Sequence, residues 1–172
     1  MARRAINLVA FQAAWFATVL TAAQGRPWAG IATVALVVIL HLAAERWRTR
    51  EIALLTAAGL LGYGLDSSLV LLEMIRFPDK DIIEPAPLWM VGLWVSFGTI
   101  LHVSLGWLSR RLALASILGL VGGPLAYWSG MRLGAIELRE PLWQSAGAVA
   151  IEWALATPLL LYLTRFAARE ES

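Results

Sequence analysis

Six stretches of mostly apolar residues, each about as long as a bilayer is thick, follow one another along the chain with only short polar connections between them. They run approximately from Ile6 to Ala23, Trp28 to Ala44, Ile52 to Ile75, Leu88 to Leu108, Leu112 to Met131 and Leu142 to Thr164. A helix rises ~1.5 Å per residue, so ~20 residues cross the ~30 Å of hydrocarbon. No water is present there to satisfy free backbone groups, which leaves helices and closed barrels as the only spanning structures. Barrel strands alternate polar and apolar residues over ~10 positions, whereas these runs are continuous and about twice as long. The expectation is an all-α fold: a polytopic transmembrane bundle of six helices, forming a single integral membrane domain over residues 1–172.

The charged residues set the orientation. One side of the expected bundle carries Arg3, Arg4, Arg46, Arg48, Arg50, Arg110, Arg111, Arg165 and Arg169; the other carries Arg26, Arg76, Lys80, Arg132 and Arg139. Cytoplasmic loops hold the excess of basic residues, so both termini are expected in the cytoplasm, with the chain in a bacterial inner membrane. These arginines are spread between apolar runs instead of gathered into a patch, and no nucleic-acid partner is expected. The acidic, proline-rich segment Phe77 to Pro87 falls on the opposite side as a periplasmic cap. Arg3 and Arg4 ahead of an apolar run ending in Ala22 and Ala23 mimic a signal peptide. Asn7 and Gln12 interrupt that run, however, and it is long for a signal core, so it is read as a retained first helix.

Nine tryptophans are many for 172 residues. Trp28, Trp47, Trp89, Trp107, Trp128 and Trp143 lie near segment ends, as an interfacial aromatic belt requires. Trp15, Trp94 and Trp153 lie deeper, where they pack between helices or line a cavity.

An ionisable side chain deep in hydrocarbon costs ~2.5–3.5 kcal/mol on insertion scales and therefore invites a functional reading. Asp66, His102, Glu152 and, less deeply, His41 qualify, while Glu73 falls at the interface. Counting residues from the cytoplasmic arginines puts Asp66, Tyr127 and Glu152 in one layer, roughly 20–24 Å from the inner boundary. Gln12 and His102 fall at roughly 12 Å, His41 lower, and Asn7 near the cytoplasmic end. In the third segment Gly59, Gly62, Tyr63, Asp66, Val70 and Glu73 recur at three- and four-residue spacing, on one face. Gly119, Gly123, Tyr127 and Gly130 surround Pro124 in the fifth, and Gln144, Ala148, Glu152 and Ala156 form a row in the sixth.

The candidate polar pocket is accordingly Asp66, His102, Tyr127, Glu152, Gln12 and Ser104. Asp66 and Glu152 in one buried cluster would suit proton relay, cation binding or general acid–base work; the plainer reading is that they fix helix registration through polar contacts. His102 and Ser104, two positions apart, face different sides of a helix, which speaks against a hydrolase pair. With no Cys, and two histidines lacking a carboxylate at ligand spacing, neither a metal nor any other cofactor is expected. A phosphate-binding glycine loop and a zinc-protease helix are also absent from the sequence.

Asn7, Phe11-Gln12, Trp15, Gly25, Trp28, Asp66, Pro87-Leu88-Trp89, Thr99 to Trp107 with His102, and Gly123-Pro124-Leu125-Ala126-Tyr127 leading to Leu133-Gly134-Ala135 form a pattern spanning nearly the whole chain. It resembles a bacterial family of small six-helix inner-membrane proteins catalogued only as a domain of unknown function. The resemblance implies a setting beside fatty-acid-modifying enzymes, with membrane lipids and membrane-associated lipid-modifying enzymes as partners; it assigns no catalytic residue. The tryptophan content is also similar to that of small tryptophan-rich sensory proteins, and the size to substrate-binding subunits of vitamin uptake transporters. The leading expectation is a component of lipid or envelope metabolism with an intramembrane polar pocket. A small carrier or transporter subunit, proton-coupled or vitamin-uptake-like, and a non-catalytic membrane scaffold are the alternatives.

Overall fold

A computed structural model describes residues 1–78 and 85–169, the side chains of 166–169 excepted. The chain forms six α-helices: α1 (Ala2–Ala23), α2 (Pro27–Ala44), α3 (Arg48–Leu71), α4 (Leu88–Val103), α5 (Leu112–Arg132) and α6 (Leu142–Arg169). Five are long and apolar enough to cross a membrane, and the sixth, α4, is a shorter apolar helix of 16 residues. The expected all-α transmembrane bundle is what forms, with helix bounds close to the apolar runs. Exposed leucines and isoleucines such as Ile39, Leu60, Leu120 and Leu155 line its outside, the surface a lipid-solvated protein presents.

Short connections follow from local chemistry. Gly25 takes a positive φ of 68° after α1, a left-handed conformation glycine adopts without steric cost, and Pro27 starts α2 where its missing N–H is not needed. Hairpin α1–α2 closes tightly because Gly30 lets Thr18 approach the α2 backbone, its hydroxyl donating to the Gly30 carbonyl at 3.3 Å.

Helix α4 occupies the centre. It packs against α1, α2, α3 and α6, and buries Trp89, Met90, Leu93, Trp94, Ser96, Gly98, Thr99, Ile100 and Leu101. Helices α5 and α6 pair closely with each other and reach the remainder mainly through α6. Trp89, expected in the interfacial belt, is instead buried at 2% exposure with its ring edge-on to Phe77, centroids 5.4 Å apart. Trp28, Trp47, Trp107, Trp128 and Trp143 are exposed at helix ends, as a belt requires.

Two helices stop earlier than their apolar runs. Helix α3 ends at Leu71, Glu73 turns the chain with φ of 55°, and Ile75–Arg76 (β1) pairs antiparallel with Glu137–Leu138 (β2). Ser145 secures this ribbon by donating to the Met74 carbonyl at 2.6 Å, and exposed Glu73 meets Arg139 at 3.3 Å. Helix α4 ends at Val103, not Leu108, and a 3-10 turn follows over Gly106–Arg110. The Ser104 hydroxyl at that stop lies 2.6 Å from Asn7 Oδ1 and 3.1 Å from the Arg4 carbonyl, so the chain exchanges helical continuation for a tie to α1. Of the Phe77 to Pro87 cap, Phe77, Ala86 and Pro87 are buried; Asp79, Lys80, Asp81 and Glu84 lie outside the described residues.

Candidate functional site

Asp66 is fully buried on α3, and the residue one turn before it explains why. A Cβ at Gly62 would land on the Trp94 ring, so only glycine lets the indole from α4 lie flat against α3. In that position Trp94 Nε1–H donates to Asp66 Oδ2 at 2.7 Å. From α5, the buried Tyr127 hydroxyl donates to Asp66 Oδ1. One carboxylate thus ties three helices together. Gly59 and Gly62 share the buried face of α3 with Asp66 and Val70, while Tyr63, expected on the same stripe, is 42% exposed.

A second glycine pair repeats the device. Cβ atoms at Gly119 and Gly123 would strike the Trp153 carbonyl and indole, so Trp153 of α6 is seated in the groove of α5. The two lodged indoles, Trp94 and Trp153, then stack with centroids 4.4 Å apart and planes 21° from parallel. Phe97 meets the Trp153 ring edge-on at 5.1 Å. Glu152, 6% exposed, lies within electrostatic reach of both Asp66 and Tyr127. Its Oε1 has no hydrogen-bond partner among the described residues. Counting from the helix ends thus correctly places Asp66, Tyr127 and Glu152 in one layer.

Beside this layer is a half-enclosed cavity of about 460 Å³. Helix α1 forms one wall with Phe11, Gln12, Trp15 and Phe16; α5 forms the other from Leu118 to Gly130; Trp94, Phe97 and Trp153 make the floor. Helices α1 and α5 do not form a packed seam. The partly exposed Phe16, Leu118 and Leu125 mark the opening on the outer, apolar surface. Polar residues also line the cavity, among them Gln12, Tyr127, Ser129 and Thr157. Trp153 Nε1–H and Thr157 Oγ1 are buried and make no hydrogen bond among the described residues; Trp153 Nε1–H comes near the Tyr127 hydroxyl without meeting it at full hydrogen-bonding geometry.

The six sequence candidates therefore divide. Gln12 and Tyr127 line the cavity, and Asp66 and Glu152 stand behind it. His102 and Ser104 sit at a different level, at the end of α4 where α1 begins. His102 is at the end of α4, which stops one residue beyond it, and its side chain is 53% exposed. The histidines also do not lack a carboxylate. His41 Nε2 lies 3.1 Å from Glu51 Oε2 and His102 Nδ1 lies 2.9 Å from Glu51 Oε1. Sequence spacing did not show this because the three residues come from three helices. Glu51 and Glu45, both buried, were missed as site residues since each sits among arginines and reads as a topology charge. Trp94 as partner of Asp66 was missed too, although the Gly62-to-Asp66 turn is the mark of an intimate contact.

The sequence pattern of a family described as "Protein of unknown function (DUF2878)" matches residues 4–159. Among curated proteins and among solved structures, nothing matches the chain.

Proposed function

The chain belongs to the DUF2878 family, and we propose that it is an inner-membrane, lipid-binding component of envelope or lipid metabolism. Its ligand enters sideways from the bilayer between α1 and α5. The carrying observation is the cavity itself, about 460 Å³, with apolar and aromatic walls and a few polar residues in its lining, Gln12, Tyr127, Ser129 and Thr157 among them. That volume falls within the ~300–1,000 Å³ of small-molecule sites, which combine apolar walls with a few convergent polar groups. An ester or carboxyl oxygen on an acyl chain would meet the polar part of this lining, the Gln12 amide included, while the chain fills the aromatic slot. Asp66 holds Tyr127 and Trp94 in register from behind, so it acts as a positioning residue. The arginine-rich ends of the bundle face the cytoplasm in this reading, and membrane-associated lipid-modifying enzymes are the partners it implies.

Gly122 offers the test. It lines the cavity, yet a Cβ there meets nothing within 4 Å, so Gly122→Leu fills the site without disturbing a helix seam. Gly147→Leu, also in open space but away from the cavity, is the control. Lipid co-purifying in mild detergent, measured per chain by native mass spectrometry, is expected to fall about 10-fold in Gly122→Leu, a change of ~1.4 kcal/mol, and to stay at the parent level in Gly147→Leu. Equal lipid retention by both variants would reject the cavity as the binding site.

A further inference from the structure

Four helix ends converge at the end of the bundle away from the β1–β2 ribbon. Glu51 lies in the first turn of α3, His41 in the last turn of α2 with Glu45 as its C-cap, His102 at the end of α4, and Arg3 at the start of α1. Side-chain exposure is 6% for His41, 7% for Glu45 and 8% for Glu51, against 53% for His102. One ligand atom each from Glu45, Glu51 and His102 lies within 4.8 Å of the others. Arg3 pairs with Glu45 Oε1 from the outside.

We propose that Glu45, Glu51 and His102 form a binding site for a divalent first-row transition cation, oriented by His41. A tetrahedral ion with bonds of ~2.1 Å separates its ligand atoms by about 3.4 Å. The Glu51–His102 pair is already closer than that at 2.9 Å, and the exposed His102 ring can rotate to admit the ion. Two carboxylates and one imidazole favour zinc or manganese over a soft copper(I) site, which takes sulfur ligands. His41 donates to the Glu51 oxygen that faces away from His102; such an outer partner fixes a ligating carboxylate in place. Three protein ligands on a partly exposed centre leave a coordination position for water or for the oxygen of a bound molecule. The site is at a different level of the bundle from the lipid cavity, so the two proposals stand or fall separately.

The sequence makes the test clean, because the chain has no Cys and no histidine besides His41 and His102. Untagged full-length protein in detergent, stripped with chelator, is titrated with Zn²⁺ alone against a competing chromophoric chelator, and Co²⁺ absorption reports ligand geometry. The expected result is one Zn²⁺ per chain. Affinity should fall about 10- to 100-fold in His41→Gln, the loss typical of an outer partner, and at least as far in His102→Gln and Glu51→Gln. His102→Gln alters an exposed side chain, so an unchanged thermal midpoint of its metal-free form certifies folding. Substoichiometric Zn²⁺ in the parent protein, or equal binding by a folded His102→Gln, overturns the proposal and leaves His41, Glu51 and His102 as a hydrogen-bonded network.

Discussion

Asp66→Ala is expected to be among the most damaging single substitutions in this chain. It removes the acceptor for two buried donors at once, Tyr127 Oη–H and Trp94 Nε1–H. Each donor left without a partner costs ~1–3 kcal/mol, so the loss should be about 4 kcal/mol, with a cavity left between α3, α4 and α5. Asp66→Asn keeps one carbonyl oxygen but turns an NH₂ toward the other donor, and about half that loss follows. Tyr127→Phe deletes one hydrogen bond and leaves Trp94 bound, at about 1–2 kcal/mol. Thermal or denaturant unfolding of purified protein in detergent should rank the three in that order. An Asp66→Ala variant as stable as the parent would mean that the carboxylate does not hold these helices.

The second large effect concerns the α5–α6 seam. A Cβ at Gly119 would collide with the carbonyl oxygen of Trp153, and backbone cannot rotate aside as a flexible side chain can. Overpacking of a tight contact costs ~1–3 kcal/mol and more when backbone must move, so Gly119→Ala should lose at least ~3 kcal/mol. Gly122→Ala, less than one helical turn away, faces open space and should be neutral or slightly stabilising, since alanine is the better helix former by ~1 kcal/mol. The contrast between the two neighbours separates the packing contact from any general intolerance of helix α5. Equal unfolding midpoints for the pair would contradict the close approach of Trp153.

Much of this architecture is legible from hydrophobicity alone, because a helix in lipid must carry an apolar run of fixed length regardless of its neighbours. That is why α1, α2, α5 and α6 begin and end near where the apolar runs do. The departures occur where a distant partner claims the backbone: β2 ends α3 at Leu71, and Asn7 of α1 takes Ser104 at the end of α4. Depth counting inherits those errors. Asp66, Tyr127 and Glu152, grouped by that count, do lie together, whereas His102, grouped with Gln12, is at the end of α4 against Glu51. The Asp66–Tyr127 contact was accessible as a shared depth, but the Trp94 bond depends on the α3–α4 register, which no local pattern encodes. Glu51 illustrates the same gap: among Arg48, Arg50 and Trp47 it reads as an interfacial charge, and only tertiary structure brings two histidines onto its carboxylate.

In the proposed function a lipid occupies the space between α1 and α5. A fatty-acyl probe carrying a diazirine near mid-chain, supplied to membranes containing the protein and photolysed, reads that directly by peptide mass spectrometry. Adducts should concentrate on the facing stretches of α1 around Phe16 and of α5 around Gly122 and Ala126, and should disappear from both in Gly122→Leu. Adducts spread evenly over outward residues such as Leu36, Ile39 and Leu40 of α2, unaffected by Gly122→Leu, would show a protein merely bathed in lipid and would contradict the assignment.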